Sequence, residues 1–99
     1  MSTWHFKKGK RDEAFAEVDR ILNTSTRSTP GFRGYISLFS LENSNVATIV
    51  TLWQDQESLE RSEKGVFATA VERIQDSVEG NPLLGNYRVF STELFQKSE

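Results

Sequence analysis

The fold is decided by residues 32–53, which read FRGYISLFSLENSNVATIVTLW. Two runs rich in β-branched and aromatic residues, 32–41 and 46–53, flank four polar, turn-forming residues at 42–45. Such runs favour β-strands, and a short polar connection between them is typical of a β-hairpin. The stretch therefore predicts two adjacent antiparallel strands.

Both predicted strands carry apolar side chains at even and at odd positions. In the first strand, Ile36 and Leu38 alternate with Tyr35 and Phe39. Successive side chains point to opposite faces of a sheet, and a sheet with one face in water needs apolar residues on one face only. The hairpin therefore predicts a sheet that is covered on both faces.

Before the hairpin, residues 4–6 form a short apolar run typical of a strand. The segment 12–22 predicts a helix, because its apolar residues recur at helical spacing. These residues are Ala14, Phe15, Val18, Ile21 and Leu22. The order so far is strand, helix, strand, strand.

After the hairpin, Asp55 can cap a helix that begins at Gln56 and is broken or kinked at Gly65. A longer helical pattern then runs to Val78 and ends at Gly80-Asn81-Pro82. A final strand is predicted over 86–94, where apolar residues occupy both faces. The complete order is βαββαβ.

Right-handed crossovers place this order into an α+β, ferredoxin-like fold: a four-stranded antiparallel sheet with its helices on one face. The whole chain, 1–99, is expected to form a single domain, since 99 residues leave no room for a second one. Helices on one face leave the other face bare. We therefore expect a homodimer in which two copies pack through their sheet faces.

Composition excludes several classes of chemistry and partner. With no cysteine and only one histidine, the chain offers no disulfide, no thiolate metal site and no histidine pair for a metal. Its net charge is -2, and its one basic cluster, at Lys7, Lys8, Lys10 and Arg11, is too narrow for a nucleic-acid surface. No apolar run approaches the roughly 20 residues that span a bilayer, and no signal peptide is recognisable. We expect a cytoplasmic protein with no nucleic-acid or membrane partner.

Three stretches together resemble the dimeric α+β barrel superfamily, in particular small proteins like the antibiotic-biosynthesis monooxygenases. They are Phe6-Lys7-Lys8-Gly9-Lys10, Pro30-Gly31-Phe32-Arg33-Gly34-Tyr35 and Thr51-Leu52-Trp53-Gln54-Asp55-Gln56-Glu57-Ser58-Leu59. The resemblance implies a pocket between sheet and helices in each subunit, where related enzymes oxidise phenolic polyketides or quinols without flavin or metal. It therefore implies no cofactor. The chain departs from the family at Ser62 and Val66, where histidines are frequent.

His5 and Trp53 are the first candidate site residues. His5 is the only side chain whose ordinary pKa lies near neutrality, so it is the obvious catalytic base for a phenol. A lone histidine on a strand is otherwise structural or on the surface. Trp53 can stack on a planar substrate, or it can serve as a core or dimer-interface aromatic residue.

Tyr35, Tyr87 and Arg33 are further candidates for substrate binding. Each tyrosine can donate a hydrogen bond to a ligand oxygen, although a buried tyrosine bonded to the backbone has the same sequence signature. Arg33, like Arg88, lies among apolar strand residues and needs a carboxylate, a ligand, the partner subunit or solvent. In a catalytic site, Tyr35 or Arg33 would hold the developing oxyanion.

Three functions remain open at this level. The first is a cofactor-independent monooxygenase-like enzyme acting on a small aromatic or quinol substrate. The second is a non-catalytic or stress-response barrel whose pocket binds a small apolar molecule, and the absence of the familiar histidines favours it. The third is an interaction module in which the sheet face serves assembly alone.

Overall fold

A computed structural model of the chain describes residues 1–25 and 27–93. The elements follow one another in the order β1, α1, β2, β3, α2, α3, β4, and a short 3-10 turn follows α3. Their bounds are β1 Ser2–His5, α1 Arg11–Ser25, β2 Phe32–Phe39, β3 Val46–Trp53, α2 Gln56–Ser62, α3 Val66–Ile74 and β4 Leu83–Leu84.

The four strands form one antiparallel sheet in the order β2-β3-β1-β4. The long hairpin pairs β2 with β3, with a bulge between Phe32 and Gly34. β1 lies between β3 and β4, so the chain crosses over twice to complete the sheet. This arrangement confirms the predicted α+β, ferredoxin-like fold.

The helices begin and end for local reasons that the sequence shows. Asp12 and Glu13 lie in the first turn of α1, where carboxylates stabilise the positive end of the helix. α2 begins after Asp55, whose carboxylate accepts a 2.8 Å hydrogen bond from the backbone N–H of Ser58. Gly65 separates α2 from α3. The predicted cap and break are both confirmed.

The core lies between the helices and one face of the sheet, which we call the covered face. The sheet contributes Trp4, Ala47 and Ile49, each at most 3% exposed. The facing helices contribute the buried residues Ala14, Phe15, Val18, Leu22, Ala70 and Ile74. One apolar stripe on α1 and another on α3 therefore cover a single side of the sheet.

The other side of the sheet, which we call the open face, is bare of any described element. Ile36 and Leu38 are each 47% exposed there, and Leu52 and Leu83 are 38% and 64% exposed. Alternation in β2 and β3 places Ile36, Leu38 and Leu52 on the same side of the sheet. Leu83 of β4 lies on that side too, because it pairs with Thr3, which in turn pairs with Thr48 opposite Leu38. Apolar side chains thus occupy both faces, as predicted.

The predicted end of the second helical region is wrong. The pattern was expected to continue to Val78, but α3 ends at Ile74 and a 3-10 turn follows. Val78 instead forms an antiparallel bridge with Phe6. Pairing with the end of β1 therefore overrides the helical spacing at this position.

The predicted position of the last strand is also wrong. β4 comprises Leu83–Leu84, and residues 86–93 form no strand, while Leu94 lies outside the described residues. Leu84 pairs with Ser2, the first residue of β1. Pairing with β1 is therefore confined to Leu83 and Leu84, and residues 86–93 pair with no described strand.

Candidate functional site

A cavity of about 60 Å³ lies between the covered face and the helices. Trp4 and Trp53 form part of its sheet wall, and Phe67 and Ala70 of α3 form part of its helical wall. The lining extends on both sides of Gly65, since Leu59 and Ser62 of α2 also take part. Most of the exposed lining is apolar, as a site for an aromatic molecule requires.

Two indole–hydroxyl pairs line this cavity. Trp4 Nε1 donates to Ser2 Oγ at 2.8 Å, and Trp53 Nε1 donates to Thr51 Oγ1 at 2.9 Å. In each pair the partners are two residues apart on a strand, so both side chains lie on the covered face. Each hydroxyl accepts the indole hydrogen and keeps its own hydrogen to donate. The cavity therefore contains two O–H donors held against aromatic walls.

The two indoles are themselves fixed by other rings. Phe32 stacks on Trp53 with ring centroids 4.7 Å apart and an interplanar angle of 20°. Phe67 lies 5.8 Å from Trp4 at a tilt of 59°. Because Phe32 occupies one face of Trp53, a planar ligand can stack only on the other face.

The polar groups of the lining lie mainly at its rim. Ser62 Oγ donates to the backbone oxygen of Leu59 at 2.6 Å, while Glu63 and Asn86 are exposed. The amino group of Met1 donates to the Gly85 carbonyl at 2.8 Å, and burial lowers its pKa. Within residues 1–25 and 27–93, no cluster of three or more His, Cys, Asp or Glu is placed to hold a metal ion.

Of the five predicted site residues, Trp53 is the one that lines the cavity. His5 is exposed and pairs with Val46, and strand alternation places it on the open face, opposite its neighbour Trp4. The structure therefore separates His5 from the cavity by the thickness of the sheet. His5 and Trp53 therefore do not line this cavity together within one copy of the chain, and the catalytic role of His5 stays a prediction.

The other three predicted residues lie outside the cavity lining. Tyr35 donates a 3.4 Å hydrogen bond to the backbone oxygen of Asp19, and burial raises its pKa. Arg33 donates to Gln54 Oε1 at 3.0 Å in an exposed position. Tyr87 is 74% exposed. Their roles in binding stay predictions.

Ser2 and Thr51 are the residues that sequence reasoning missed. Their signal is a repeated pattern, Ser2-Thr3-Trp4 and Thr51-Leu52-Trp53, in which a hydroxyl precedes a tryptophan by two residues. On a strand, this spacing places the hydroxyl beside the indole. Ser2 and Thr51 come close together because of the strand register. Ser2 pairs with Ile49, which makes Thr51 the diagonal neighbour of Ser2 on the next strand.

Sequence comparison identifies the protein family to which most of this chain matches. The family model described as antibiotic biosynthesis monooxygenase matches residues 1–73, which include β1, α1, the hairpin, α2 and most of α3. No curated protein is significantly similar in sequence. The matched residues contain both indole–hydroxyl pairs. None of the described helices is long and apolar enough to cross a membrane.

Solved structures with the same fold cover nearly the whole chain. A candidate antibiotic biosynthesis monooxygenase from Bacteroides thetaiotaomicron has a TM-score of 0.75 at 20% identity, over 97% of this chain and 91% of that one. A conserved protein of unknown function from the same organism has a TM-score of 0.67 at 24% identity, over 83% and 87%. SnoaB, a cofactor-independent oxygenase from Streptomyces nogalater, has a TM-score of 0.63 at 15% identity, over 93% of both chains. At these identities the likeness establishes the fold.

Proposed function

Because the chain belongs to the antibiotic biosynthesis monooxygenase family, we propose that it is a cofactor-independent oxygenase for a small aromatic or quinol substrate. The observation that carries this proposal is the pair of indole–hydroxyl contacts inside the cavity. Aromatic walls suit a planar ring, and fixed O–H donors suit an oxygen atom that gains negative charge. The description of SnoaB as a cofactor-independent oxygenase is consistent with this reading.

The proposed reaction balances with O2 as the co-substrate. A ring CH2 group beside phenolic hydroxyls loses two hydrogens and gains one oxygen atom of O2 as a carbonyl, while the second oxygen atom leaves as water. The substrate supplies all four electrons. A quinol would instead transfer two electrons and two protons to O2, giving a quinone and hydrogen peroxide. Both routes begin with a phenolate, which reacts with O2 more readily than the phenol does.

We propose that the hydroxyls of Thr51 and Ser2 stabilise that phenolate. Each hydroxyl is oriented by the indole N–H that it accepts, so its own hydrogen is available to a substrate oxygen. Trp53 would stack on the ring with the face that Phe32 leaves uncovered. Desolvation by the apolar lining strengthens the O–H interaction with a negative oxygen.

Proton removal falls to Glu63 in this proposal, because Glu63 is the carboxylate of the cavity lining and His5 lies on the open face. A phenol gives up its proton to such a base only where the phenolate that forms is stabilised. The transfer therefore depends on the two hydroxyls to stabilise the phenolate. This dependence makes the hydroxyls, rather than the base, the sensitive part of the site.

Substrate entry requires the cavity to widen. Its volume of about 60 Å³ is well below the roughly 150 Å³ of an engineered apolar cavity that encloses benzene. The wall is interrupted at Gly65, between α2 and α3, where the backbone φ and ψ are -113° and -102°. A shift of α2 at this junction would open the side of the cavity formed by Leu59 and Ser62.

The direct test is oxygen uptake with a panel of quinols and anthrones, with products identified by mass spectrometry. We expect Thr51→Val to lower kcat about ten- to a hundredfold, because it removes an O–H donor and keeps a similar shape. Thr51→Ser should retain most of the activity, and His5→Ala serves as the control outside the cavity. Turnover that is absent, or unaffected by Thr51→Val in a folded variant, would remove the catalytic proposal.

A second candidate function is the binding of a small apolar molecule without turnover. The observation that favours it is the chemistry of the lining, which holds no imidazole among the described residues. Native mass spectrometry distinguishes the two functions. A bound quinol or anthrone recovered unchanged after aerobic incubation would support binding alone, whereas an oxidised product would support the enzyme.

We further propose that two copies associate through the open face. Ile36, Leu38, Leu52 and Leu83 expose 38–64% of their surfaces there, and large contiguous apolar patches mark association sites. Sedimentation equilibrium at micromolar concentration should show a species of twice the 11.3 kDa chain mass. A sample that remains at the mass of one chain would contradict the dimer without bearing on the oxygen-uptake result.

A further inference from the structure

The lining of the cavity changes from buried to exposed toward the β4 edge of the sheet. Trp4, Ile49 and Ala70 line its interior and are each at most 3% exposed. Met1 and Leu84 line the same cavity but are 42% and 58% exposed. We call these two side chains the apolar shelf. A ligand held in the cavity can therefore extend over the shelf toward solvent.

Leu84 lies beside the hydroxyls that the proposed function uses. It pairs directly with Ser2 across the ladder between β4 and β1, and Ser2 has Thr51 as its diagonal neighbour on β3. Paired residues of an antiparallel ladder point to the same face, with Cβ atoms about 5 Å apart. The covered face therefore carries a row across three strands: a hydroxyl on β3, a hydroxyl on β1 and a leucine on β4.

The cavity itself has no space for more than the ring of a substrate. Its volume of about 60 Å³ is already below the roughly 150 Å³ of a cavity that encloses benzene. A substituent adds to the volume that the ring requires, so it must lie outside the enclosed space. β4 is the last strand in the order β2-β3-β1-β4, and no described strand lies beyond Leu84.

We propose that the apolar shelf is a subsite for an alkyl substituent on the ring carbon next to the oxygen that Ser2 and Thr51 bind. Leu84 is the direct neighbour of Ser2, so it is the side chain that a substituent in this ortho position meets first. The substrate class is then an ortho-alkyl phenol or quinol. This inference rests on the phenol-binding site proposed above and adds the substitution pattern of the substrate.

An alkyl chain is the occupant that the chemistry of this surface favours. The side chains of Met1 and Leu84 carry no charge and no hydrogen-bond donor. The ring of Tyr87 extends the surface, because a Cβ built on Gly85 would lie 2.9 Å from Cε2 of that ring. A chain attached to a bound ring reaches the shelf without a second loss of translational freedom. Each methylene that leaves water there tightens binding by up to about fourfold.

Calorimetric titration of the full chain with phenol and its ortho-methyl, ortho-ethyl and ortho-propyl derivatives tests the subsite without any variant. Titration under argon separates binding from oxidation. We expect the dissociation constant to fall about two- to fourfold per added carbon, and the heat-capacity change of binding to become more negative. The isomer para-propylphenol should bind about threefold more weakly than ortho-propylphenol, or weaker still. Affinities that do not depend on chain length, or equal affinities for the two isomers, would overturn the subsite.

Leu84→Asn locates the subsite, and Leu83→Asn is its matched control. The two leucines are neighbours in β4, and alternation places Leu83 on the open face. Leu84→Asn should weaken the binding of ortho-propylphenol about fivefold or more and that of phenol by less, because the lost contact is with the alkyl chain. Leu83→Asn should leave both affinities within about twofold, and any effect on the dimer appears separately in sedimentation. Equal losses in the two variants would overturn the assignment to Leu84.

Failure of the subsite and failure of the oxygenase proposal give different results. Oxygen uptake with quinols, together with affinities that ignore the ortho chain, would overturn the subsite and leave the enzyme in place. Affinities that rise with the ortho chain, without oxygen uptake for ortho-alkyl quinols, would support the subsite and contradict the enzyme. If Leu84→Asn does not fold, Leu84→Ala replaces it, and the comparison of the ortho and para isomers still decides.

Discussion

The two faces of the sheet are built from the same strands and similar residues, but they have different environments. Ile49 on the covered face is 3% exposed, whereas Ile36 on the open face is 47% exposed. Both are strand isoleucines of the same hairpin, and strand alternation assigns them to opposite sides. The difference teaches that hydrophobicity marks a surface that needs a cover, while the fold of one chain supplies that cover on one side only.

The same division separates chemistry from assembly. The cavity, with its indole–hydroxyl pairs, belongs to the covered face, against which the helices pack. The open face carries His5 and a set of exposed aliphatic side chains. A residue's face therefore decides which of the two proposed roles it can take.

The largest expected effect comes from truncating matched isoleucines on the two faces. Ile49→Ala should destabilise the protein by about 2 to 5 kcal/mol, because it leaves a cavity in a packed core. Ile36→Ala should cost roughly 1 kcal/mol or less at concentrations where the chain is monomeric, since Ile36 is already half in water. Urea unfolding followed by tryptophan fluorescence measures both variants.

Repeating both unfolding measurements at several protein concentrations gives a second test of the difference between the two isoleucines. If a second copy covers the open face, the cost of Ile36→Ala should grow as the concentration rises, whereas that of Ile49→Ala should stay constant. Equal costs for the two variants at low concentration would show that the faces do not differ in burial as described.

A smaller effect is expected where the covered face is anchored to α2. Gly31 has a φ of +82°, and a Cβ built there would lie 2.6 Å from Ser58 Cβ, which is buried in α2. Gly31→Ala should therefore cost more than about 2 kcal/mol, from left-handed backbone strain and from displacement of α2. Gly80→Ala is the matched control, since its φ is +72° and nothing lies within 4 Å of the added atom.

Thermal unfolding of these two variants separates strain from contact. Gly80→Ala should show only the backbone cost of about 1 to 2 kcal/mol. Equal losses in the two variants would mean that α2 does not press against Gly31. A larger loss for Gly31→Ala, accompanied by faster hydrogen exchange in α2, would support the described packing.

The smallest effect concerns the cap that holds α2 over the covered face. The backbone N–H of Ser58, donating to the Asp55 carboxylate, lowers the pKa of Asp55 from its ordinary value. Because the folded pKa is below the unfolded one, the stabilisation is present above about pH 4 and is lost as the pH falls through the folded pKa. Asp55→Asn keeps a capping acceptor that does not titrate.

Urea midpoints measured between pH 6 and pH 2 test this dependence. The unsubstituted protein should lose stability more steeply below pH 4 than Asp55→Asn does. Glu17, whose pKa is lowered chiefly by its hydrogen bond with Arg20, contributes equally to both proteins and cancels in the comparison. Parallel pH profiles would contradict the role given to Asp55.

Local signals were sufficient for much of the fold. The hairpin, α1, the Asp55 cap and the break at Gly65 all follow from periodicity and capping chemistry within a few residues. The errors fall where a distant partner decides the outcome. Val78 left the helical pattern because Phe6 pairs with it, and the last strand formed at Leu83–Leu84 because these two residues pair with β1.

The candidate site was less predictable than the fold. His5 and Trp53 were the obvious chemical candidates, yet alternation in β1 turns His5 away from the cavity and turns Ser2 and Trp4 toward it. The importance of Ser2 and Thr51 depends on β1 lying beside β3, two strands that are separated by α1 and β2 in the chain. No local pattern contains that pairing.

The sequence by itself therefore determined the elements and the two-sided apolar character of the sheet, because helix and strand periodicity and end capping act over a few residues. The tertiary structure alone decided which side the helices cover, which hydroxyls meet in the cavity, and where the last strand ends. These outcomes depend on register and crossover between segments far apart in the chain. The physical reason is that strand pairing brings distant backbone groups together, and a shift of one residue moves each side chain to the opposite face.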